Sequence, residues 1–237
     1  MRKLAGVTFD FDATFYNYPR MVLGLLHRFG PHVKLIHDLT DERAKLRKLG
    51  KIENFHKVQT EAMAKRWDRP VEWTEAKLDR VVYSGWNSAF DKVKPAAGVF
   101  EVLDMCVANG LPIAVVSDYP PRDKMQKMGF MKYPWSLVLN CEDIGLLKPD
   151  PAGLVMAMER MGTKPSETMH VGDSLRYDIQ GAKNAGMMNA WLKWPWKRAK
   201  KGISPDYTVK SFGQLMAIFE KDFGLKRPRR TEPAPNI

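Results

Sequence analysis

"LAGVTFDFDATFYN", residues 4–17, decides the reading of the whole chain. Its first half is a run of strand-forming apolar residues, and the run ends in Asp10 and Asp12. A single Asp beyond a strand is ordinary, because Asp caps helices and starts turns. Two at spacing i, i+2 point the same way from an extended chain and repel each other. Such a pair calls for a compensating positive charge, and a metal ion is the first candidate.

The sequence on the two sides of this strand differs in character. From 15 to 94, charged and aromatic residues recur at helical spacing with no convincing strand, as in "DERAKLRKLGKIENFHKVQTEAMAKRW" and "TEAKLDRVVYSGWNSAFDKV". This segment reads as several helices forming a small unit of their own. Beyond Pro95 the pattern alternates. "AAGVFEVLDMCVANG" sets Val99, Val102, Leu103 and Cys106 on one helical face, with Gly110 as its stop. "PIAVVS" (112–117) is a continuous apolar strand, followed by a short helix near 122–129 and a strand near 136–139. "DPAGLVMAMERMG" begins with Asp150 as cap and Pro151 at the first helical position, then stripes Leu154, Met158 and Met161. "TMHVGDS" holds a strand, 175–186 a helix, "MNAWL" a strand, and a last strand and helix lie around 207–220.

Strand and helix in regular alternation predict an α/β fold, a Rossmann-like doubly wound parallel sheet with right-handed crossovers. The expected domains are a catalytic core of 1–14 and 95–225, an inserted helical cap of 15–94, and a disordered basic tail of 226–237. In such sheets ligands bind at the carboxyl ends of the strands. Asp10 and Asp12, Ser117 and Asp118, and Asp173 and Ser174 all fall at those ends.

Taken singly, each residue has an ordinary reading: Asp173 as a helix cap, Lys148 as a surface lysine, Ser117 as a strand-end turn former. Together they form an ordered set. Asp10, Asp12 and Thr14 make a DxDxT pattern; Ser117 ends an apolar strand; Lys148 lies in "GLLKPDP"; Asp173 and Asp178 lie in "VGDSLRYD". In this order and these contexts the set resembles the four signature motifs of the haloacid dehalogenase superfamily. The likeness covers roughly residues 4 to 220, including "GAKNAG" at 181–186, and is to phosphatase-type members with a helical cap between the first and second motifs.

The resemblance implies a magnesium-dependent phosphatase of small phosphorylated metabolites. Asp10 is the expected nucleophile, since a carboxylate can attack phosphorus and split hydrolysis into two steps. The resemblance implies Mg2+ held by Asp10, the backbone carbonyl of Asp12, and Asp173, with Asp178 helping directly or through water. Lys148 would neutralise phosphate charge, the Ser117 hydroxyl would donate to a phosphoryl oxygen, and Asp118 stands beside it. Asp12 is the discriminating residue: an alkoxide leaving group needs a proton, and a departing halide does not. The neighbouring Asp10 and Asp173 are expected to raise its proton affinity, with the metal opposing them. Two residues depart from the usual pattern, Ala13 where Gly is frequent and Asp118 where Asn is frequent. A phosphomutase, or an interaction protein binding nucleic acid on this fold, are the rival readings.

Composition agrees with a globular protein, 44% hydrophobic and 27% charged over 237 residues. Cys106 and Cys141 stand without CxxC or His partners, which fits a reducing compartment. The apolar run at the N-terminus is too short for a signal peptide, and no stretch is long enough to span a bilayer. A cytoplasmic protein is expected. The formal net charge of +11 suits anionic partners, but much of it lies in "KWPWKRAKK" (193–201) and "KRPRR" (226–230). Solvated loops are the favoured reading there, over nucleic-acid contact. Phe55, Trp67, Trp73, Tyr83, Trp86 and Phe90 are expected as cap core, and Arg43, Lys45 and Lys48 as a solvated helix face. His27, His32, His37 and His56 show no zinc pattern, and His170 reads as structural. Trp191, Trp194 and Trp196 read equally as core packing or a subunit contact.

Overall fold

The computed structural model describes residues 2–17, 32–198 and 202–228. His27, residues 199–201 of the basic loop, and most of the tail expected at 226–237 lie outside them. Strand β1, Gly6–Phe9, is buried along its whole length, as its uninterrupted apolar run requires. It pairs with β2 (Ile113–Ser117), and outward from β2 lies β3 (Trp135–Asn140). On its other side come β4 (Thr168–Gly172), β5 (Met188–Leu192) and β6 (Tyr207–Val209). All five pairings are parallel, and the order is β3-β2-β1-β4-β5-β6. The chain builds one half outward from β1, then returns to build the other. The crevice at this reversal, between β1 and β4, is where such sheets bind ligands. Register brings the acidic residues there: Phe9 lies opposite Val171, and the Asp10 N–H donates to the Val171 carbonyl at 2.9 Å.

Between β1 and β2 the chain forms α1 (Val33–Leu46), α2 (Phe55–Trp67), α3 (Val71–Leu78) and α4 (Ser84–Ala89), the last two joined by a π turn, Asp79–Tyr83. The buried face of α1 carries Leu35, Leu39, Arg43 and Leu46. Arg43 therefore sits on the apolar stripe, 1% exposed, and not on a solvated face; Lys45 and Lys48 are exposed as expected. Phe55 and Phe90 are core residues, whereas Trp73 is 49% exposed and lies edge-on to Trp67. Among the described residues no helix is long and apolar enough to cross a membrane.

The remaining helices flank the sheet: α5 (Val99–Ala108), α6 (Arg122–Lys127), α7 (Cys141–Ile144), α8 (Ala152–Met161), α9 (Gln180–Asn184) and α10 (Phe212–Phe223). The stripe of α5, Val99, Val102, Leu103 and Cys106, is fully buried. Helix α8 starts one residue later than its cap signal suggests. Pro151 precedes the first helical residue, and the Asp150 carboxylate accepts the Ala152 N–H at 2.9 Å. The helix expected at 175–186 opens instead with a π turn, Leu175–Ile179.

The helical segment is tied to the sheet by a backbone contact at Gly145, just after α7. The Ile52 N–H donates to the Gly145 carbonyl at 3.0 Å, and Gly145 adopts φ +69°. A Cβ there would lie 2.0 Å from the Ile52 carbonyl oxygen. Gly145→Ala is expected to destabilise the fold by about 2–3 kcal/mol, through strain plus backbone overlap. A thermal melt beside the wild type checks this, and an unchanged midpoint would show that the contact can yield.

Candidate active site

Lys148 comes first, because it joins three elements. Its ammonium donates to Asp10 Oδ1 at 2.7 Å, to Asp178 Oδ1 at 2.7 Å and to the Val116 carbonyl of β2 at 3.0 Å, in a side chain 2% exposed. Burial opposes its charge, but Asp10 and Asp178 together hold its proton well above the ordinary lysine range. Asp10 also accepts from the Thr14 hydroxyl at 2.9 Å, which is what the DxDxT spacing accomplishes. Burial pushes the Asp10 carboxyl well above the usual range; Lys148 pulls it down, and Asp178 and Asp173 add to the rise.

Asp178 projects from the π turn. Burial alone would raise it, yet Lys148 and His170 hold it well below the usual carboxylate range. Its Oδ2 accepts the Ser174 N–H at 2.8 Å. The carboxylate fits only because residue 172 is glycine: a Cβ there would lie 2.4 Å from Asp178 Cγ. Behind it, buried His170 faces the Thr8 hydroxyl through Nδ1 at 2.9 Å, a structural placement.

One carboxylate oxygen from each of Asp10, Asp173 and Asp178 lies within 4.8 Å of the others, and all three residues are buried. Asp173 Oδ2 accepts no aligned hydrogen bond, although the Lys197 ammonium lies 2.6 Å away. Burial raises Asp173 to about 6, with Lys197 acting in the opposite sense. Three hard oxygen donors around one point suit a divalent cation.

Asp12 stands at the rim. Its Oδ1 accepts from Lys124 Nζ at 2.7 Å and from the Tyr16 hydroxyl at 2.8 Å, and Ser117 Oγ lies 3.4 Å from its Oδ2. The Lys124 ammonium is thus in direct contact with the Asp12 carboxylate. Asp118 is also neutralised: Arg47 Nη2 meets its Oδ2 at 2.7 Å, and the Lys148 N–H donates to its Oδ1 at 3.0 Å. Its carboxylate is spoken for and adds no free negative charge.

Asp10, Asp12, Ser117, Asp118, Lys148, Asp173 and Asp178 all line one cavity of about 200 Å³. Thr40 and Arg43 of α1, Arg47 at its C-terminal cap, Tyr119, Ser174 and Tyr177 complete its wall. Arg47 donates from Nε to the Lys148 carbonyl at 2.8 Å and lies over the Tyr177 ring at 4.1 Å. Arg43 donates to Glu142, to the Asp118 carbonyl and to Gln59, and lies 3.9 Å from the Tyr119 ring centroid. The sequence reading omits Arg47, Lys124 and Lys197. For Arg43 a signal exists, since it shares helical spacing with Leu35, Leu39 and Leu46.

Comparison with known proteins agrees with this geometry. The chain is 27% identical over 225 residues to the glyceraldehyde 3-phosphate phosphatase of Methanocaldococcus jannaschii, covering 91% of this chain and 96% of that one. A match to the enzyme of the same name from Pyrococcus furiosus, 27% identical over 144 residues, spans 58% of this chain and only 60% of that relative's length. In structure it is similar to the L-2-haloacid dehalogenase of Xanthobacter autotrophicus, with a TM-score of 0.66 at 18% identity, covering 92% of this chain and 99% of that one. That likeness is one of fold. The family model described as haloacid dehalogenase-like hydrolase matches residues 7–192, and the chain belongs to that family.

Proposed function

We propose that this protein hydrolyses a small-molecule phosphate monoester, with Asp10 as nucleophile and magnesium as the bound cation. The observation that carries this reading is the convergence of Asp10, Lys148, Ser117 and two further buried carboxylates on one cavity. The phosphatase relatives support the reaction class and a small phosphorylated metabolite as substrate. Asp12 favours ester hydrolysis over dehalogenation, because only the ester's leaving oxygen needs a proton.

Asp10, Asp173 and Asp178 would hold the cation, with the Asp12 carbonyl as the resemblance implies. When bound, magnesium offsets the negative charge that gathers as an anion attacks a phosphoryl group. An Asp10 oxygen attacks phosphorus while the bond to the leaving oxygen breaks, and Asp12 gives that oxygen its proton. Water then attacks the phosphoryl group on Asp10, Asp12 takes its proton, and free phosphate departs. Lys148 opposes the burial that raises Asp10 and adds positive charge beside the phosphate. Ser117 donates from the end of β2 to a phosphoryl oxygen. Helices α1–α4, within the segment 15–94, act as the cap over a core of 1–14 and 95–225. Through Arg43 and Arg47 they close the cavity wall and keep water from the reacting atoms.

A panel of phosphate esters with Mg2+ tests the reading. Free phosphate is expected with no bisphosphate activator, and Asp10→Asn is expected to lower turnover by at least about a thousandfold. Equal turnover by the variant would refute the nucleophile. Cation binding has its own pH signature. Asp173, at about 6, is already ionised above that pH; below it, each binding event must displace a proton. Mg2+ affinity measured by calorimetry is therefore expected to fall by about tenfold per unit as the pH drops below about 6. A flat profile would remove Asp173 from the ligand set.

A further inference from the structure

Three tryptophans crowd the end of β5 and the segment after it, and two of them grip the active-site loops. Trp191 Nε1 donates to the Asp173 carbonyl at 2.9 Å, and Trp194 Nε1 donates to the Ala13 carbonyl at 2.7 Å. Ala13, between Asp12 and Thr14, adopts φ +62°, a conformation that costs a residue with a Cβ. Trp194 thus helps to fix a strained turn beside the nucleophile. Trp194 and Trp196 stack with ring centroids 5.5 Å apart and planes 7° from parallel. The Lys197 N–H donates to the Trp194 carbonyl at 2.9 Å, which folds the chain back over this pair. From that turn the Lys197 ammonium reaches Asp173 Oδ2 at 2.6 Å.

This cation differs from the others at the site. Lys148 on Asp10 and Asp178, Lys124 on Asp12 and Arg47 on Asp118 have side chains 2%, 3% and 10% exposed, so losing a partner would strand a buried charge. Lys197 is 34% exposed and approaches from the solvent side, so it can withdraw into water at little cost. The oxygen it meets is the one that accepts no aligned hydrogen bond, and ligand oxygens of Asp10 and Asp178 lie within 4.8 Å of Asp173's own. An ammonium and a divalent cation on one carboxylate repel each other strongly in so dry a site.

We propose that Lys197 and the divalent cation compete for Asp173, so that the tryptophan–lysine segment sets the cation's affinity and shifts when it binds. This rests on the cation site proposed above. Withdrawal of Lys197 would leave the two indole anchors in place, since both donate to backbone carbonyls and not to the carboxylates. The displacement is therefore local to the turn at 194–197.

Calorimetric titration of Mg2+ into the metal-free full chain, and into Lys197→Met and Lys197→Arg, reads the competition. Lys197→Met is expected to bind about tenfold more tightly, while Lys197→Arg, which keeps the charge, stays within about twofold of wild type. Amine acylation of the wild type, read by mass spectrometry, follows the displacement without any substitution. Mg2+ is expected to raise labelling of Lys197 and to leave exposed Lys3 unchanged. Equal affinity in the three proteins, or labelling of Lys197 indifferent to Mg2+, overturns the competition while leaving the cation site standing. No binding by any of the three folded proteins overturns the cation site itself, and the competition with it.

Discussion

The buried ammonium of Lys148 is the charge around which the strand ends are arranged. It contacts the carboxylate after β1, the carbonyl near the end of β2 and the carboxylate of the π turn after β4. Without it, Asp10 and Asp178 would face each other in a site nearly sealed from water, and breaking such a buried pair costs about 3–5 kcal/mol. The surrounding sequence serves this contact. Gly172 leaves room for the Asp178 side chain, and the Ser174 N–H fixes its second oxygen. In the reaction proposed for this site, the same ammonium would supply positive charge beside the phosphoryl group. Stability and chemistry here draw on a single interaction.

A second set of charges joins the helical segment to the sheet. Arg43 on α1 and Arg47 at its C-terminal cap, one turn on, reach Glu142, the Asp118 carbonyl and carboxylate, and the Lys148 carbonyl. Arg43 is buried at some cost, for its Nε finds no hydrogen-bond partner. An apolar residue at position 43 would fill the α1 stripe without that cost, but would leave Glu142 without its guanidinium. These contacts turn the neighbouring Asp118, unusual in this position, from a liability beside a phosphate into a docking point for the helix.

Much of the fold is legible because its signals are local. The apolar run ending in Asp10, the alternation after Pro95 and the stripe of α5 each follow from residues adjacent in sequence. The parallel pairing then follows from the alternation of strand and helix. The π turns at 79–83 and 175–179 carry no such signal. The second departs from α-helical geometry where Asp178 must turn inward to Lys148, a tertiary demand that side-chain periodicity does not encode. Asp10, Asp12, Ser117, Lys148, Asp173 and Asp178 could be picked out because each follows a strand or precedes a helix in a recognisable context. Lys124 and Lys197 could not. Each is one lysine among many, and Lys124 is separated from Asp12 by 112 residues. Arg43 stands between these cases: its charge argues for solvent while its spacing argues for the core, and spacing wins because a buried acceptor awaits it.

The paired arginines also bear on how the helices could lift from the strand ends. Arg43 on α1 and Arg47 at its C-terminal cap both reach the strand-end loops, so moving the helix away would separate both from their partners. Dissolved ions screen exposed charges over about 8–10 Å, but they have little access to groups as enclosed as Arg43 and Glu142, 1% and 7% exposed. The seating of this helix over the strand ends therefore rests on charges that dissolved salt reaches poorly while the contact is intact.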